Sequence, residues 1–363
     1  MQLRIPGPTP CPDEVLQAMA KQMIGHRGKQ YQELMLRVTD RLKKVYQTKE
    51  DVLILTAAGT GGLEAAVVNT LSPGDKVLSV SIGVFGDRWA DIAEQYGAEV
   101  KRLKFEWGKA ADPDQVRKAL KADPAITTVL ITHNETSTGV TNDLASLAKA
   151  VKEFDKLLLV DAISGLSSID LPVDKWNCDV VVSGSQKGWM IPPGLTFVSV
   201  SEKAWDAAKK AKMPRFYFDL GKAKTFLNKG QTPWTPAVSL MFGLDVSLDM
   251  ILKEGLENVF ARHAKVARMA REGVKSLGLS LFADEAYASD TVTAVKVPEG
   301  IDGKKINDTL RQDYGVFLSG GQKTLEGKIF RIGHLGWVHE TDIKEVLVAI
   351  EGVLSKLGFR VGG

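Results

Sequence analysis

The stretch Cys178-Asp179-Val180-Val181-Val182-Ser183-Gly184-Ser185-Gln186-Lys187-Gly188 places a lysine directly after an apolar run. The run has the length and the β-branched content of a buried strand. Lys187 then follows among small residues, which is an unusual place for a solvated charge. Partial burial disfavours the charged amine, so its pKa falls and it becomes nucleophilic. The pattern predicts a reactive lysine, although a merely structural role stays open for Lys187 taken alone.

A second predicted strand, Lys156 to Val160, ends in Asp161. Ligands of parallel sheets bind at the carboxyl ends of the strands, where both Asp161 and Lys187 are expected. Pyridoxal 5'-phosphate needs these two groups: a carboxylate beside its ring nitrogen, and an amine that binds its aldehyde as a Schiff base. A turn or helix N-cap is the alternative role for Asp161 alone. The two residues together favour the cofactor hypothesis.

The first two-thirds of the chain alternate short β-rich runs with segments of helical spacing. The predicted strands cover 52–55, 76–80, 99–103, 128–132, 157–160, 179–182 and 196–200. Such alternation predicts an α/β fold with a mostly parallel seven-stranded sheet, covered by helices on both faces.

The last third of the chain has a different pattern. Its predicted elements are a helix over 255–277, strands over 292–297 and 329–332, and a final helix over 341–357. Prolines at positions 6, 8, 10 and 12 predict an extended N-terminal segment, of a kind that often packs on a partner subunit. We therefore predict an N-terminal arm over 1–20, a large domain over 21–254 and a smaller α+β domain over 255–363.

The composition is that of an ordinary soluble protein of 363 residues, with 44% hydrophobic and 25% charged residues. A net charge of +3 without a long basic block argues against nucleic acid as the main partner. Two cysteines are too few for a disulfide framework, and the five histidines show no metal-ligand grouping. No apolar run approaches transmembrane length. These features predict a cytoplasmic protein that binds neither a membrane nor a metal.

A glycine-rich turn follows the first predicted strand, over 56–65. Small residues at Ala58, Gly59 and Thr60 would let backbone N–H groups approach a phosphate at the start of the next helix. The dinucleotide-binding fingerprint fails because Glu64 stands where its third glycine belongs, which argues against a nicotinamide-dependent oxidoreductase. A plain glycine turn remains the alternative.

Three further residues have side chains that could bind an aromatic ring or an anionic group. The hydroxyl of Thr136 could bind the phenolic oxygen of the cofactor, and Phe85, flanked by glycines, could stack on its ring. Arg331 lies within an otherwise apolar strand, and its planar fork suits a carboxylate. A core aromatic at Phe85 and an internal acidic partner for Arg331 are the alternatives.

These segments together resemble the class V aminotransferases, which are fold-type I pyridoxal phosphate enzymes. The motifs that carry the resemblance are Pro6 to Pro10, Gly59 to Glu64, Glu135 to Gly139, Val160-Asp161, Ser183 to Lys187, Pro192 to Gly194, and Arg331 to Gly333. They cover nearly the whole chain. The most similar group is the alanine–glyoxylate and serine–glyoxylate (serine–pyruvate) aminotransferases.

The resemblance implies a role for each residue. Lys187 would hold the cofactor and move a proton, Asp161 would hold the pyridine nitrogen, and Phe85 would stack on the ring. The phosphate would bind Ala58, Gly59, Thr60, Gln186 and, from the neighbouring subunit of a homodimer, Thr235. Thr136 would contact the phenolic oxygen, while Arg331 and Gly7 would contact the substrate. Some relatives have tryptophan at position 85 and tyrosine at position 232, where this chain has Phe85 and Thr232.

The expected activity is a ping-pong transamination from serine or alanine to glyoxylate or pyruvate. A lyase or aldolase, or a transaminase with an aspartate or phosphonate-type donor, remains an alternative. A cysteine desulfurase is disfavoured because no cysteine follows Cys178. A non-catalytic subunit that acts through partners would be expected to have lost Lys187 or Asp161.

Overall fold

The computed structural model describes residues 1–360. Its strands, in chain order, are β1 (Gln2–Leu3), β2 (Asp51–Leu55), β3 (Lys76–Ser81), β4 (Glu99–Lys104), β5 (Thr128–Thr132), β6 (Asn134–Glu135), β7 (Val140–Thr141), β8 (Leu157–Asp161), β9 (Val180–Gly184), β10 (Thr196–Val200), β11 (Val292–Lys296), β12 (Val316–Phe317), β13 (Ser319–Gly320) and β14 (Ile329–Gly333). Its α-helices are α1 (Asp13–Met19), α2 (Lys29–Tyr46), α3 (Gly59–Thr70), α4 (Val84–Gln95), α5 (Pro113–Ala122), α6 (Leu144–Lys152), α7 (Glu202–Ala208), α8 (Leu220–Leu227), α9 (Val238–Glu254), α10 (Leu256–Ser276), α11 (Gly303–Tyr314) and α12 (Glu340–Lys356).

A seven-stranded sheet with the order β2-β10-β9-β8-β5-β3-β4 forms the centre of the fold. Strand β10 runs antiparallel to both of its neighbours, and the other neighbouring pairs are parallel. The predicted α/β fold and its mostly parallel sheet are therefore confirmed. Each of the seven predicted strands lies within two residues of the observed one.

Burial explains why these runs are strands. Every residue of β5, β8, β9 and β10 is buried, as expected for the centre of a sheet that is covered on both faces. Strand β4 lies at the edge and alternates exposed and half-buried residues. The carboxyl ends of β2, β3, β5, β8 and β9 point to the same edge of the sheet. The segments that follow these five strands therefore meet there.

The N-terminal segment lies against the C-terminal part of its own chain. Strand β1 pairs in parallel with β12, the amide of Gly333 donates to the carbonyl of Arg4 (2.7 Å), and Arg4 forms a salt bridge with Asp342 (2.7 Å). The prediction of an extended arm over 1–20 is wrong for its second half, because Asp13–Met19 is helical. Pro12 is the N-cap of this helix, a position that needs no N–H donor.

The C-terminal part contains the three-stranded antiparallel sheet β11-β14-β13 with helices α10, α11 and α12 beside it. An apolar cluster of its own includes Val274, Val295, Phe330 and Ile350. The large cluster under the seven-stranded sheet extends from Val15 to Val259 and also includes Ala283. The division into 1–20, 21–254 and 255–363 remains our proposal for the domain organisation. Over the described part of the chain, no helix is long and apolar enough to cross a membrane.

Candidate active site

Lys187 lies three residues beyond β9, at the carboxyl edge of the sheet. Its Nζ donates to the carbonyl of Pro6, and its own carbonyl accepts from the hydroxyl of Thr9 (3.0 Å). Burial lowers the pKa of Lys187 to about 8; the nearby Arg331 and Arg88 also lower it, and Asp161 opposes them. More of this amine is therefore neutral near neutral pH than in a solvated lysine.

Asp161 is the last residue of β8, next to β9 in the sheet. The Ile163 amide donates to its Oδ1 (2.9 Å), and within residues 1–360 the other oxygen has no hydrogen-bond donor. Burial raises the pKa of Asp161 to about 7, with a further contribution from the negative charge of Glu135. Lys187 and Arg88 oppose this rise, as does the bond from Ile163. The carboxylate is thus poorly solvated and ready to accept a cationic partner.

One cavity joins the two residues. It is lined by eight of the residues that the sequence predicted: Ala58, Gly59, Thr60, Phe85, Thr136, Asp161, Gln186 and Lys187. Five lining residues were not predicted: Leu63, Arg88, Asn134, Ile163 and Ser164.

The start of α3 provides one end of the cavity. The helix begins at Gly59, its N-cap Ala58 offers no side-chain acceptor, and the first amides therefore face the cavity without a capping group. The amide oxygen of Gln186 is buried close by without a donor among the described residues. Exchanging the oxygen and nitrogen of that amide would direct an NH₂ donor at the same point. This end of the cavity therefore suits an anion.

An aromatic ring and a cation lie on another wall. Phe85 is the second residue of α4, and the guanidinium of Arg88 lies over its ring, 4.8 Å from the ring centre. Arg88 has neither a hydrogen bond nor a salt bridge with any residue from 1 to 360. The sequence contained a signal for it, since a residue three positions after Phe85 lies on the same face of a helix.

Hydroxyl groups form a hydrogen-bonded chain behind Thr136. The Thr136 hydroxyl lies 2.8 Å from the Ser164 hydroxyl, and Ser164 in turn donates to the carbonyl of Asn134 (2.9 Å). The side-chain amide of Asn134 donates to both Ser164 (2.8 Å) and Thr291 (2.9 Å). Thr136 therefore has a fixed orientation at the cavity, imposed partly by the C-terminal part of the chain.

Arg331 is buried in the middle of β14. Its Nε donates to the Gly320 carbonyl (3.0 Å) and its Nη1 to the Thr136 carbonyl (3.1 Å). No carboxylate of the described chain forms a salt bridge with it. Burial lowers the pKa of Arg331 to about 10, although the charge of Glu135 acts in the opposite direction. The internal acidic partner that was the alternative for Arg331 is thus not found, and part of its fork is free for an external anion.

Gly7 contacts the end of the Lys187 side chain. Its backbone has a φ of +123°, and a Cβ at this position would lie 2.7 Å from both Cδ and Nζ of Lys187. A glycine is therefore required here on two grounds, backbone conformation and space. The N-terminal segment reaches Lys187 from within the same chain.

Thr235 does not line this cavity. It is exposed and borders a separate pocket formed with Thr56, Tyr217 and Trp234. Its predicted role across a subunit interface needs a second copy of the chain, so it stays a proposal. Arg27 donates to the carbonyls of Thr232 and Pro233 and does not reach the cavity.

A family model described as aminotransferase class-V matches residues 3–337. The chain belongs to the class-V aminotransferase family. Curated relatives align over almost the full length. A serine–glyoxylate aminotransferase of Hyphomicrobium methylovorum is 41% identical over 374 residues, which cover 99% of this chain and 92% of that protein. An L-aspartate–glyoxylate aminotransferase of Paracoccus denitrificans is 40% identical, with 98% and 92% covered. A soluble hydrogenase 42 kDa subunit of Anabaena cylindrica is 47% identical, with 99% and 94% covered.

Solved structures agree with this assignment. The pyridoxamine–pyruvate aminotransferase of Mesorhizobium loti superimposes with a TM-score of 0.95 at 32% identity, covering 99% of this chain and 93% of that one. The ureidoglycine–glyoxylate aminotransferase of Bacillus subtilis gives 0.94 at 29% identity, with 99% and 94% covered. The predicted family and its aminotransferase fold are confirmed.

Proposed function

We propose that the protein is a pyridoxal-phosphate-dependent aminotransferase that moves an amino group from a small amino acid to a small 2-oxo acid. The observation that carries the proposal is the pair formed by Lys187 and Asp161. An amine with a pKa lowered to about 8 and a buried, incompletely hydrogen-bonded carboxylate face one cavity from the ends of neighbouring strands. Membership of the class-V aminotransferase family supports the same conclusion.

The cavity offers groups suited to pyridoxal phosphate at four points. The uncapped start of α3 at Gly59 and Thr60, with Ala58 and Gln186 beside it, would hold the phosphate. Phe85 offers an aromatic face for the ring, and Thr136 a hydroxyl for its phenolic oxygen. Asp161 offers the carboxylate that a pyridine nitrogen requires. When bound, the cofactor supplies an electron sink for the carbanion formed at the substrate α-carbon.

The two ionisable residues would act on protons. The amine of Lys187 would take the proton from the α-carbon of the donor and carry it within the cavity, as a base with a pKa near the working pH does best. The carboxylate of Asp161 would keep a proton on the pyridine nitrogen, because a buried negative charge strongly favours a cationic partner.

The substrate carboxylate would bind Arg331, whose guanidinium has only carbonyl partners within residues 1–360. Gly7, which packs against the end of the Lys187 side chain, is the second residue that we propose beside the substrate. A buried guanidinium with a free edge suits the carboxylate of an amino acid. We propose serine and alanine as the first donors to test.

Relatives named for glyoxylate support glyoxylate as the acceptor, with pyruvate as the second choice. An aspartate donor is an alternative, since one relative is named for it. A phosphonate-type donor and a lyase or aldolase reaction also remain alternatives, because the cofactor supports them with the same lysine and aspartate.

We further propose a homodimer in which Thr235 reaches the phosphate of the neighbouring active site. Aromatic side chains beside it support an interface: Phe216 is 68% exposed and stacks on Trp234, which also stacks on Tyr217. Exposed aromatic residues of this kind are enriched at interfaces between proteins. A cytoplasmic location is proposed on the ground that Cys11 and Cys178 are both free thiols.

Visible absorbance tests the proposal directly. The protein is supplied with pyridoxal phosphate and measured before and after L-serine, L-alanine or L-aspartate, and again after glyoxylate or pyruvate. We expect the absorbance of the bound cofactor to change with the donor and to return with the acceptor. Lys187→Ala is the control, in which neither change should occur at a comparable rate.

Two results would contradict the proposal. A change with the amino acid that no oxo acid reverses would favour the lyase or aldolase reaction. Failure to bind the cofactor at all would favour a non-catalytic subunit, a role compatible with the name of the hydrogenase-subunit relative.

A further inference from the structure

Glu135 is a buried carboxylate beside the cavity to which the proposed reaction gives no role. It belongs to the short strand β6 and is fully buried. No arginine or lysine of the described chain forms a salt bridge with it. Burial raises the pKa of Glu135, while the hydrogen bonds that it accepts act in the opposite direction. Its hydrogen-bond partners are N–H and O–H groups. A buried carboxylate is costly unless it is paired, so this set of donors indicates that Glu135 has a specific structural role.

The N-terminus of α4 explains where these donors come from. Glu135 accepts at Oε2 from the amides of Phe85 (3.1 Å) and Gly86 (3.1 Å). The preceding amide, that of Val84, donates to the hydroxyl of Ser137 (3.0 Å). Ser137 in turn donates to Oε1 of Glu135 through its hydroxyl (2.5 Å) and its amide (3.1 Å). The first three amides of α4 are thus bound by two side chains from a segment about 50 residues away.

Gly83 makes this external cap possible. As the N-cap residue of α4 it has no side chain that could accept a hydrogen bond. A Cβ at this position would lie 2.5 Å from the Ser137 hydroxyl and 2.6 Å from Cδ of Glu135. Serine, aspartate or asparagine would cap the helix locally but would displace Glu135 and Ser137. The helix α4 therefore has no cap from its own N-cap residue, Gly83, and is capped by the buried side chains of Glu135 and Ser137 instead.

The turn held in this way carries Phe85, which lines the cavity. Its amide is bound to Glu135, and its ring packs against Arg88 on the next turn of α4. A negative charge at a helix N-terminus is favourable, and two N–H donors on one oxygen fix the direction of the first turn. The position of the Phe85 ring is therefore set from the β6 side of the cavity.

We propose that Glu135, supported by Ser137, is a positioning residue that fixes the N-terminal turn of α4 and thereby the stacking ring of Phe85. The inference rests on the proposed function, because it assigns to Phe85 the face on which pyridoxal phosphate stacks. Glu135 is not among the residues that line the cavity. It acts through the backbone of Phe85 and Gly86.

Hydrogen exchange and cofactor titration of the apoprotein test this role. In Glu135→Gln the amides of residues 84–86 should exchange faster, because an NH₂ group replaces one of the acceptor oxygens. Pyridoxal phosphate should bind about two- to tenfold more weakly, the range expected for one aromatic stacking contact. In the double variant with Phe85→Ala, the substitution at Glu135 should cause no further loss of affinity. Ser137→Ala retains the carboxylate and should give the same local change in smaller degree, so it serves if Glu135→Gln does not fold.

Asp179→Asn is the matched control, since it neutralises a buried aspartate away from the cavity. It should reduce thermal stability and leave both the exchange of residues 84–86 and the cofactor affinity unchanged. The inference is overturned if the effects of Glu135→Gln and Phe85→Ala on affinity are independent, or if residues 84–86 keep their protection in Glu135→Gln. If the wild-type protein does not bind pyridoxal phosphate, the proposed function fails, and the role of Glu135 toward the cofactor fails with it. The exchange measurement then still reports whether Glu135 holds the turn.

Discussion

Two buried aspartates lie at opposite ends of neighbouring central strands, Asp161 at the carboxyl end of β8 and Asp179 just before the start of β9. Their surroundings differ sharply. Asp161, 4% exposed, ends β8 and accepts one hydrogen bond, from the Ile163 amide. Asp179, 5% exposed, directly precedes β9 and accepts from the Leu158 amide (2.7 Å), from the Ser201 hydroxyl (3.1 Å) and from Lys152. A complete set of partners makes Asp179 a structural residue. An incomplete set that opens on a cavity leaves Asp161 free for a ligand.

The two lysines of these regions show the same contrast. Lys152 forms a salt bridge with Asp179. Lys187 donates to a carbonyl, that of Pro6, and its pKa is lowered to about 8. Burial therefore does not by itself mark a functional residue. The informative observation is burial without a compensating charge.

The largest difference is expected between Lys187→Ala and Lys152→Ala. Loss of Lys187 should reduce turnover by about 10³-fold or more, since a positioned base contributes about 10²–10⁴-fold and the cofactor anchor is lost as well. Lys152→Ala should leave turnover unchanged. It should reduce the free energy of unfolding by about 3 kcal/mol, because the buried Asp179 loses its partner. Steady-state kinetics and urea unfolding of the two variants measure this. Equal turnover in Lys187→Ala and Lys152→Ala would contradict the assignment of Lys187 as functional and of Lys152 as structural.

Substitution of the two aspartates should also affect turnover at Asp161 and stability at Asp179, with a smaller difference in turnover than between the two lysine variants. Asp161→Asn should reduce turnover about 100-fold, corresponding to the loss of a charge-assisted hydrogen bond. Asp179→Asn should retain turnover and lose stability. The Lys152 amine and the Leu158 amide both donate to the Asp179 carboxylate, and a neutral side-chain amide cannot supply the charge for the first and an acceptor for both. Asp161→Asn measured as apoprotein should not lose stability. Loss of stability in Asp161→Asn comparable to that in Asp179→Asn would contradict its assignment as a ligand-binding residue.

The parts of this comparison that could be predicted from the sequence depend on local signals. The runs that become β8 and β9 are apolar and β-branched, and the residues that end them, Asp161 and Lys187, are conspicuous for that reason. Helix α1 was missed because the prolines before it dominate the pattern, although Pro12 is compatible with a helix start.

The unpredicted parts of the site arise from contacts between distant segments. Pro6 contacts Lys187 across 181 positions, and Glu135 contacts Phe85 across 50. Asn134 and Ser164 line the cavity because separate strand ends converge there. No local pattern specifies such a convergence. Only the order of the strands in the sheet places these residues together.

A smaller effect is expected for Arg331→Lys, which tests the proposed contact between Arg331 and the substrate carboxylate. Lysine retains the charge but not the planar fork, so one of two hydrogen bonds to the substrate carboxylate is lost. We expect kcat/KM for the donor to fall about 10- to 100-fold, with most of the change in KM, because a hydrogen bond to a charged group is worth about 1.5–3 kcal/mol. Affinity for pyridoxal phosphate should not change. A fall in cofactor affinity with an unchanged KM would place Arg331 at the cofactor instead of the substrate.

The measurement most specific to the contrast between the aspartates is the pH dependence of apoprotein stability. The pKa of Asp161 is raised from 3.8 to about 7 on folding, so between these values the folded state binds more protons than the unfolded state. Its ionised form therefore lowers the free energy of unfolding as pH rises through this window, by at most about 1.4 kcal/mol for each pKa unit of the shift. Asp161→Asn should remove this slope: it should be more stable than the wild type above pH 7 and should lose that advantage as the pH falls toward 4. Urea unfolding of both apoproteins across this range gives the difference directly. A constant difference at every pH would mean that Asp161 keeps an ordinary pKa, and that its carboxylate is as well satisfied in the folded protein as that of Asp179.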